Sequence, residues 1–203
     1  GYSEQNAEDW WNAVCETVRE VCADPEIGKA VAAISLSLQG GTMVAVDKDM
    51  KPVRPAMVWN DGRGGPQTEA FIREFGDADL MYQKTGWRLI DGLPLLQIRW
   101  MKENEPENFA KIAKIMLPKD YVNYILTGVH ACDYSDASGM LLMDVEHKCW
   151  SKEMLEICGV CEKQMPQLFE SYDCIGTVLP EVAAKLGIPT TVQNDDMVGD
   201  VIE

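Results

Sequence analysis

The stretch Leu117-Pro118-Lys119-Asp120-Tyr121, continued by Leu126-Thr127-Gly128 and by Asp133-Tyr134-Ser135-Asp136-Ala137-Ser138-Gly139, decides how the rest of the chain is read. Ordinary folding chemistry does not require this order of charged, small and aromatic residues. A helix is predicted over residues 119–126. The Asp and Ser side chains that follow suit turn and helix caps, because their oxygens accept backbone N–H bonds. Asp133 and Asp136 are also candidates to face a cleft.

Other landmarks flank this stretch in a fixed order. Gln39-Gly40-Gly41-Thr42 is followed by Asp47, and Trp59-Asn60-Asp61-Gly62-Arg63 comes next. Thr85-Gly86 precedes Trp100, and Asp144 precedes Trp150 and Ser151. Between them the pattern alternates between strand and helix. Asp9 is expected to cap a helix carrying Trp11, Val14, Cys15, Val18, Val21 and Cys22 at helical spacing. Residues 30–38 read as a buried strand running into the Gln39–Thr42 loop, and residues 43–46 and 56–59 as two more strands. Helices are predicted over 66–75, 93–103 and 107–114. Ser151 is expected to cap a helix with Met154, Leu155 and Cys158 inside and Glu153 and Glu156 outside. A last helix at Pro180–Leu186 ends at Gly187, before a short strand over 190–193. Such alternation implies an α/β layer architecture. No repeat or linker interrupts it, so residues 1–203 are read as a single domain.

Bulk properties narrow the function classes. The chain has 203 residues, 46% hydrophobic and 25% charged, which suffices for a stable core. Its net charge of −15, from 18 basic and 33 acidic residues, argues against nucleic acid or an anionic membrane surface as partner. No apolar run approaches the roughly 18 residues needed to span a bilayer. Seven cysteines, an odd number, suggest reduced thiols and a cytoplasmic location. Cys158-Gly159-Val160-Cys161 has redox or metal spacing, but no second pair accompanies it and neither His130 nor His147 is placed as a ligand, so no metal is expected.

The quoted segments together resemble the FGGY carbohydrate kinases. That resemblance covers nearly all of the chain. It implies the ribonuclease-H-like fold shared with actin and hexokinase, and specifically its N-terminal, sugar-binding domain, similar to that of the xylulokinase branch. Family members open on a strand and an Asp-x-Gly-Thr phosphate loop and close with a C-terminal ATP lobe. Neither is recognisable here, so the chain is expected to be that domain without its first strands and without the ATP lobe. The implied cofactors of the full-length enzyme are ATP and Mg²⁺, with none expected on this chain alone. An uncovered apolar face would favour self-association, with a homodimer as the simplest assembly.

The resemblance also marks site residues. Phosphoryl transfer to a sugar hydroxyl needs a carboxylate to orient that hydroxyl and accept its proton. The family supplies it as an Asp in a pattern like Gly-Gly-x-Asp-Asn-Ala-Ala-Gly. Here Asn194-Asp195-Asp196-Met197-Val198-Gly199 stands in its place, with Gln193 and Asn194 where small glycines are usual. Counting back from Gly199 puts Asp195 on the base, and a one-residue slip would put Asp196 there. Gln39, Gly40, Gly41 and Thr42 follow a strand, where α/β folds commonly place ligands. The two glycines either open space and present backbone N–H groups or merely make a tight turn. Glycerol kinase carries Arg-Glu at Gly40-Gly41, and a Tyr at about Gly92, so this chain is expected to hold a longer sugar. Trp59 would cover the apolar face of a sugar, or fill the core. Asp61 and Arg63 complete the expected site, pairing with each other or holding the loop.

Two functions stay open at this point. One is the sugar-binding lobe of an ATP-dependent kinase for a pentulose, a hexose-derived acid or a polyol. The other is a non-catalytic sugar-binding or regulatory module.

Overall fold

The computed structural model describes residues 1–76 and 78–195. Asp196 lies outside the described residues. The chain opens with β1 (Glu4–Gln5), α1 (Ala7–Val21), α2 (Pro25–Ala30), β2 (Ala33–Ser35), β3 (Val44–Val46) and β4 (Ala56–Met57). Three helices follow, α3 (Gly65–Phe75), α4 (Ala78–Thr85) and α5 (Pro94–Asn104), then the short α6 (Pro106–Phe109). The middle holds β5 (Lys114–Met116), α7 (Pro118–Thr127), β6 (Ala131–Asp133) and α8 (Tyr134–Gly139). The last third adds β7 (Met143–Asp144), β8 (Cys149–Trp150), α9 (Lys152–Cys158), β9 (Gln167–Phe169), β10 (Cys174–Thr177), α10 (Pro180–Leu186) and β11 (Gln193–Asp195).

The spine is α7. Pro118, Lys119, Asp120, Tyr121, Val122, Asn123, Leu126 and Thr127 are all buried in it. Pro118 sits in the first turn, where its missing N–H is not needed. The Asp120 carboxylate reaches back to accept the Leu117 N–H at 2.8 Å. Gly128 closes the helix at φ 75°, a left-handed conformation that favours glycine. One face of α7, through Val122 and Leu126, joins a core with Val182, Leu186 and Val192, against which Val14 and Val18 of α1 pack. Tyr121 joins Val44, Val46 and Met116 in another. The largest core lies beyond, around Leu95, Ile98, Met101, Ile115, Leu141 and Leu142.

The strands are short and the pairing is mixed. β3 runs antiparallel to β5, with Val44 opposite Met116, and β1 antiparallel to β4. β6 and β9 are parallel, and β7 and β8 form a hairpin. In the sheet β10-β11-β2, β11 is parallel to β2 and antiparallel to β10. Asp195 is thereby paired with Ser35, whose strand leads directly to the Gln39–Thr42 loop.

Several boundaries differ from expectation. Asn6, rather than Asp9, caps α1, its Oδ1 accepting the Glu8 N–H at 3.3 Å. Residues 25–30 turn once as α2, started by the Asp24 cap and Pro25, so the strand predicted over 30–38 shrinks to Ala33–Ser35. The helix predicted over 107–114 is a single turn, because Ile115 and Met116 are drawn into pairing with β3. The final strand lies at Gln193–Asp195 rather than 190–193. β1, α2, α4, β5, β6, α8, β7, β8, β9 and β10 are elements beyond those expected from the sequence. The helices at 65–75, 94–104, 118–127, 152–158 and 180–186 match the reading, and Ser151 caps α9 by accepting the Met154 N–H at 3.4 Å.

Candidate active site

Four segments converge on one cavity of about 260 Å³. The loop after β2 supplies Gly40 and Gly41, and the loop after β4 supplies Trp59. The segment between α4 and α5 supplies Trp87, Ile90 and Leu93, and α8 supplies Ser135, Asp136, Ser138 and Gly139. One side is therefore apolar and partly aromatic, and the facing side is a short helix bearing hydroxyls and a carboxylate. That pairing of faces suits a sugar, which is apolar across its C–H surface and polar at its edge.

Local chemistry holds each wall in place. Gly41 adopts φ +67°, and a Cβ there would lie 3.2 Å from the Trp59 Cβ, so a larger residue would be both strained and crowded. Gly40 has more room, and the nearest atom to a Cβ built on it is the Asp136 Oδ1 at 3.6 Å. Thr42 is wholly buried and its Oγ1 accepts the Trp59 N–H at 3.2 Å, which ties the two loops. Trp59 itself is 51% exposed and presents its ring to the cavity. The Trp87 Nε1–H donates to the Ser138 Oγ at 3.1 Å, closing the far side.

Beneath the walls sits Gln97 of α5, buried and absent from the sequence reading. Its Nε2 donates to the Gly92 carbonyl at 2.6 Å and lies 3.4 Å from the Gly41 and Val58 carbonyls. One side-chain amide thus holds three loops together. A polar residue inside the apolar pattern of α5 was the available signal.

Asp61 and Arg63 form a buried support. Asp61 accepts the Arg63 Nε–H at 2.8 Å and Nη2–H at 2.7 Å, together with the backbone N–H groups of Arg63 and Ser3. Arg63 also donates to Glu4 at 2.6 Å and lies 4.0 Å from the Tyr2 ring centroid. Burial alone would raise the Asp61 carboxyl, but the bonds from Arg63 and Ser3 outweigh it and leave it below the usual carboxylate range. Neither residue lines the cavity. Gln39 does not line it either, since its Nε2 donates to the Gln5 Oε1 at 2.5 Å.

Gly92 has a different part from the one expected. The sequence leads one to expect that it leaves room where a larger ring would stand. A Cβ on Gly92 would sit 1.7 Å from the Trp59 carbonyl oxygen, so its Cα is pressed against the backbone of the Trp59 loop. The glycine permits a close approach of two loops and opens no space in the cavity.

Behind the helical wall lies a second ion-pair cluster, also not predicted as a unit. Lys119, from the opening stretch, is buried and bonds to Asp133, and its Nζ lies 3.1 Å from the Asp136 Oδ2. Asp133 caps α8, its Oδ1 accepting the Ser135 and Asp136 N–H groups at 2.8 and 3.0 Å.

Asp195 ends β11, and Asn194 before it is buried, with its Nδ2 donating to the Asn123 Oδ1 at 2.9 Å. A larger hollow of about 490 Å³ lies elsewhere, beside Lys114, His130, Lys163 and Trp150, and none of the predicted residues lines it. Burial there pushes the His130 imidazole down to about 4, so that ring is neutral at physiological pH. Burial pushes the Cys158 thiol up to about 12, so it packs in the core as a protonated thiol, whereas Cys161 is exposed. Among the described residues no helix is long and apolar enough to cross a membrane.

Known proteins share these features. The model of the FGGY family of carbohydrate kinases, N-terminal domain, matches residues 1–201. A xylulose kinase of Bacillus subtilis is 41% identical over 189 residues, 93% of this chain and 38% of its own length. One from Lactococcus lactis is 37% identical, over 95% of this chain and 38% of its own. A solved structure from Brucella ovis, described as a "xyloylose kinase", superposes with a TM-score of 0.90 at 31% identity, over 98% of this chain and 40% of that one. A Plasmodium falciparum glycerol kinase with ADP shares the fold at 20% identity, with a TM-score of 0.88 over 98% of this chain and 40% of that one. The chain thus spans about two fifths of the length of the relatives it matches. Its α/β architecture is the ribonuclease-H-like fold of the actin and hexokinase type. Glycine-walled cavity, buried Trp-loop support and family match agree: the chain belongs to the FGGY family of carbohydrate kinases, and residues 1–201 match its N-terminal domain.

Proposed function

We propose that this chain is the sugar-binding lobe of an ATP-dependent carbohydrate kinase that phosphorylates a hydroxyl of a xylulose-like pentulose, hexose-derived acid or polyol. The observation that carries the reading is the parallel register of β11 with β2. It sets Asp195 beside Ser35, on the strand that runs into the Gly40-Gly41 wall of the cavity. The sugar lies against Trp59 and Ile90, with its hydroxyls toward α8 and the end of β11. Asp195 orients the reacting hydroxyl and takes its proton, with Asp196 as the alternative base. The relatives named xylulose kinases support this substrate type.

ATP, when bound, supplies the transferred phosphoryl group and Mg²⁺ neutralises its oxygens. Among the described residues no group of three or more His, Cys, Asp or Glu side chains is arranged to hold a metal. Mg²⁺ in kinase sites is commonly held by one or two carboxylates together with the substrate phosphates, and the nucleotide and its cation are assigned to a partner lobe. What this chain does is bind, orient and deprotonate the sugar, shielded from water once the lobes close.

In the intact protein, Asp195→Asn should lower kcat by about 10²- to 10⁴-fold while sugar affinity persists. A near-normal kcat would move the role to Asp196. An intact wild-type protein that binds sugar without turning over ATP would instead be a non-catalytic sugar-binding module.

A further inference from the structure

We propose that Asp136 makes this site selective for neutral sugars and against sugar acids of the same length. This narrows the carbohydrate-kinase reading by removing the hexose-derived acid from its substrates, and it rests on that reading. Asp136 lines the cavity from α8, directly across from Gly40. Its side chain is 6% exposed, and its two oxygens are used differently. Oδ2 lies 3.1 Å from the Lys119 Nζ, which fixes the orientation of the carboxylate. Oδ1 takes no hydrogen bond from a described residue and stands 3.6 Å from the position of a Gly40 Cβ, at the cavity wall.

The charge count explains the selectivity. Among the described residues Lys119 meets two carboxylates, Asp133 and Asp136, and these three groups together carry one net negative charge beside the cavity. Asp133 turns its Oδ1 inward to cap α8, which leaves Asp136 as the group that meets a ligand. A sugar hydroxyl donates to such an oxygen in a charge-assisted bond. A ligand carboxylate at the same place has no proton to donate and is repelled. The glycines opposite offer backbone rather than a cation, so nothing on that wall offsets the repulsion. The cavity then admits a ketose or polyol and rejects the corresponding aldonate.

The test compares D-xylulose, xylitol and D-xylonate, which share five carbons, on the intact protein by titration calorimetry, for wild type and Asp136→Asn. This variant keeps the shape of the side chain and leaves Lys119 matched to Asp133, and a melting curve checks its fold. Wild type should prefer the neutral ligands by about tenfold or more, the scale of one like-charge contact. Asp136→Asn should narrow that ratio by a similar factor. Equal or tighter xylonate binding by wild type, or an unchanged ratio in the variant, overturns the proposal while leaving a sugar site in place. Binding of none of the three overturns the carbohydrate reading itself, and this inference with it.

Discussion

Two buried ion-pair clusters flank the cavity, and they are built to opposite plans. Around Asp61, each charge has a partner. Arg63 is shared between Asp61 and Glu4, and Arg54 pairs with Glu4 at 2.5 Å and Glu105 at 3.0 Å. Tyr2 and Trp100 cover the Arg63 guanidinium, so the cluster is closed to ligand. Around Lys119, among the described residues, one ammonium meets two carboxylates, and one carboxylate oxygen stands at the cavity wall. A balanced and enclosed cluster holds a loop, whereas an unbalanced one at a wall can recognise a ligand. This matters because breaking a buried pair is costly in either setting, so stability alone does not tell scaffold from site.

Lys119→Met should have the largest effect on stability, about 3–5 kcal/mol, since it strands two buried carboxylates without their shared cation. Chemical denaturation measures it, and a loss below about 1 kcal/mol would mean that water solvates the two carboxylates once Lys119 is gone. Asp61→Asn should cost somewhat less, nearer about 3 kcal/mol, because Glu4 still engages Arg63. It should act on sugar affinity only through loop order. A sugar-affinity loss with unchanged stability would place Asp61 in direct contact and erase the contrast between the clusters.

Acid titration sharpens the same comparison at smaller amplitude. Burial raises the Asp61 and Glu4 carboxyls, but bonds from Arg63, with Arg54 for Glu4 and Ser3 for Asp61, leave both below their ordinary values. Below about pH 4 the unfolded carboxylates take up protons that the folded ones refuse. Their contribution is therefore complete above that pH and is lost as pH falls through the folded values. Arg63→Met should flatten this dependence between about pH 4 and 2, and an unchanged slope would assign acid unfolding to other groups. Trp59→Ala should be the mildest in stability, under about 1 kcal/mol, because the ring is half exposed. It should nonetheless weaken sugar binding by about tenfold. Unaltered affinity would remove the ring from the site.

Much of the fold was legible because helix signals are local. Pro118, Asp120 and Gly128 act on backbone groups within four residues, and Ser151 and Gly187 do the same at α9 and α10. Short strands were less legible. β2 and β11 have three residues each, too few for a period, and their limits are set by the partner strand. The site was legible in part. Gly40, Gly41 and Trp59 do line the cavity, whereas Gln39, Thr42, Asp61, Arg63 and Gly92 stand behind or beside it.

By itself the sequence determined the family, the layer class and the principal helices, because ordered motifs and caps are written in neighbouring residues. Only the tertiary structure decided that Gly92 lies under Trp59, that Gln97 joins three loops, and that Asp136 faces Gly40. Those contacts join residues 33 or more positions apart for Gly92 with Trp59, and 96 for Asp136 with Gly40. No local preference encodes such a meeting. It arises when burial of the α5 and α7 faces brings the loops at their ends together, and the charges and glycines then meet at distances that the chain alone does not state.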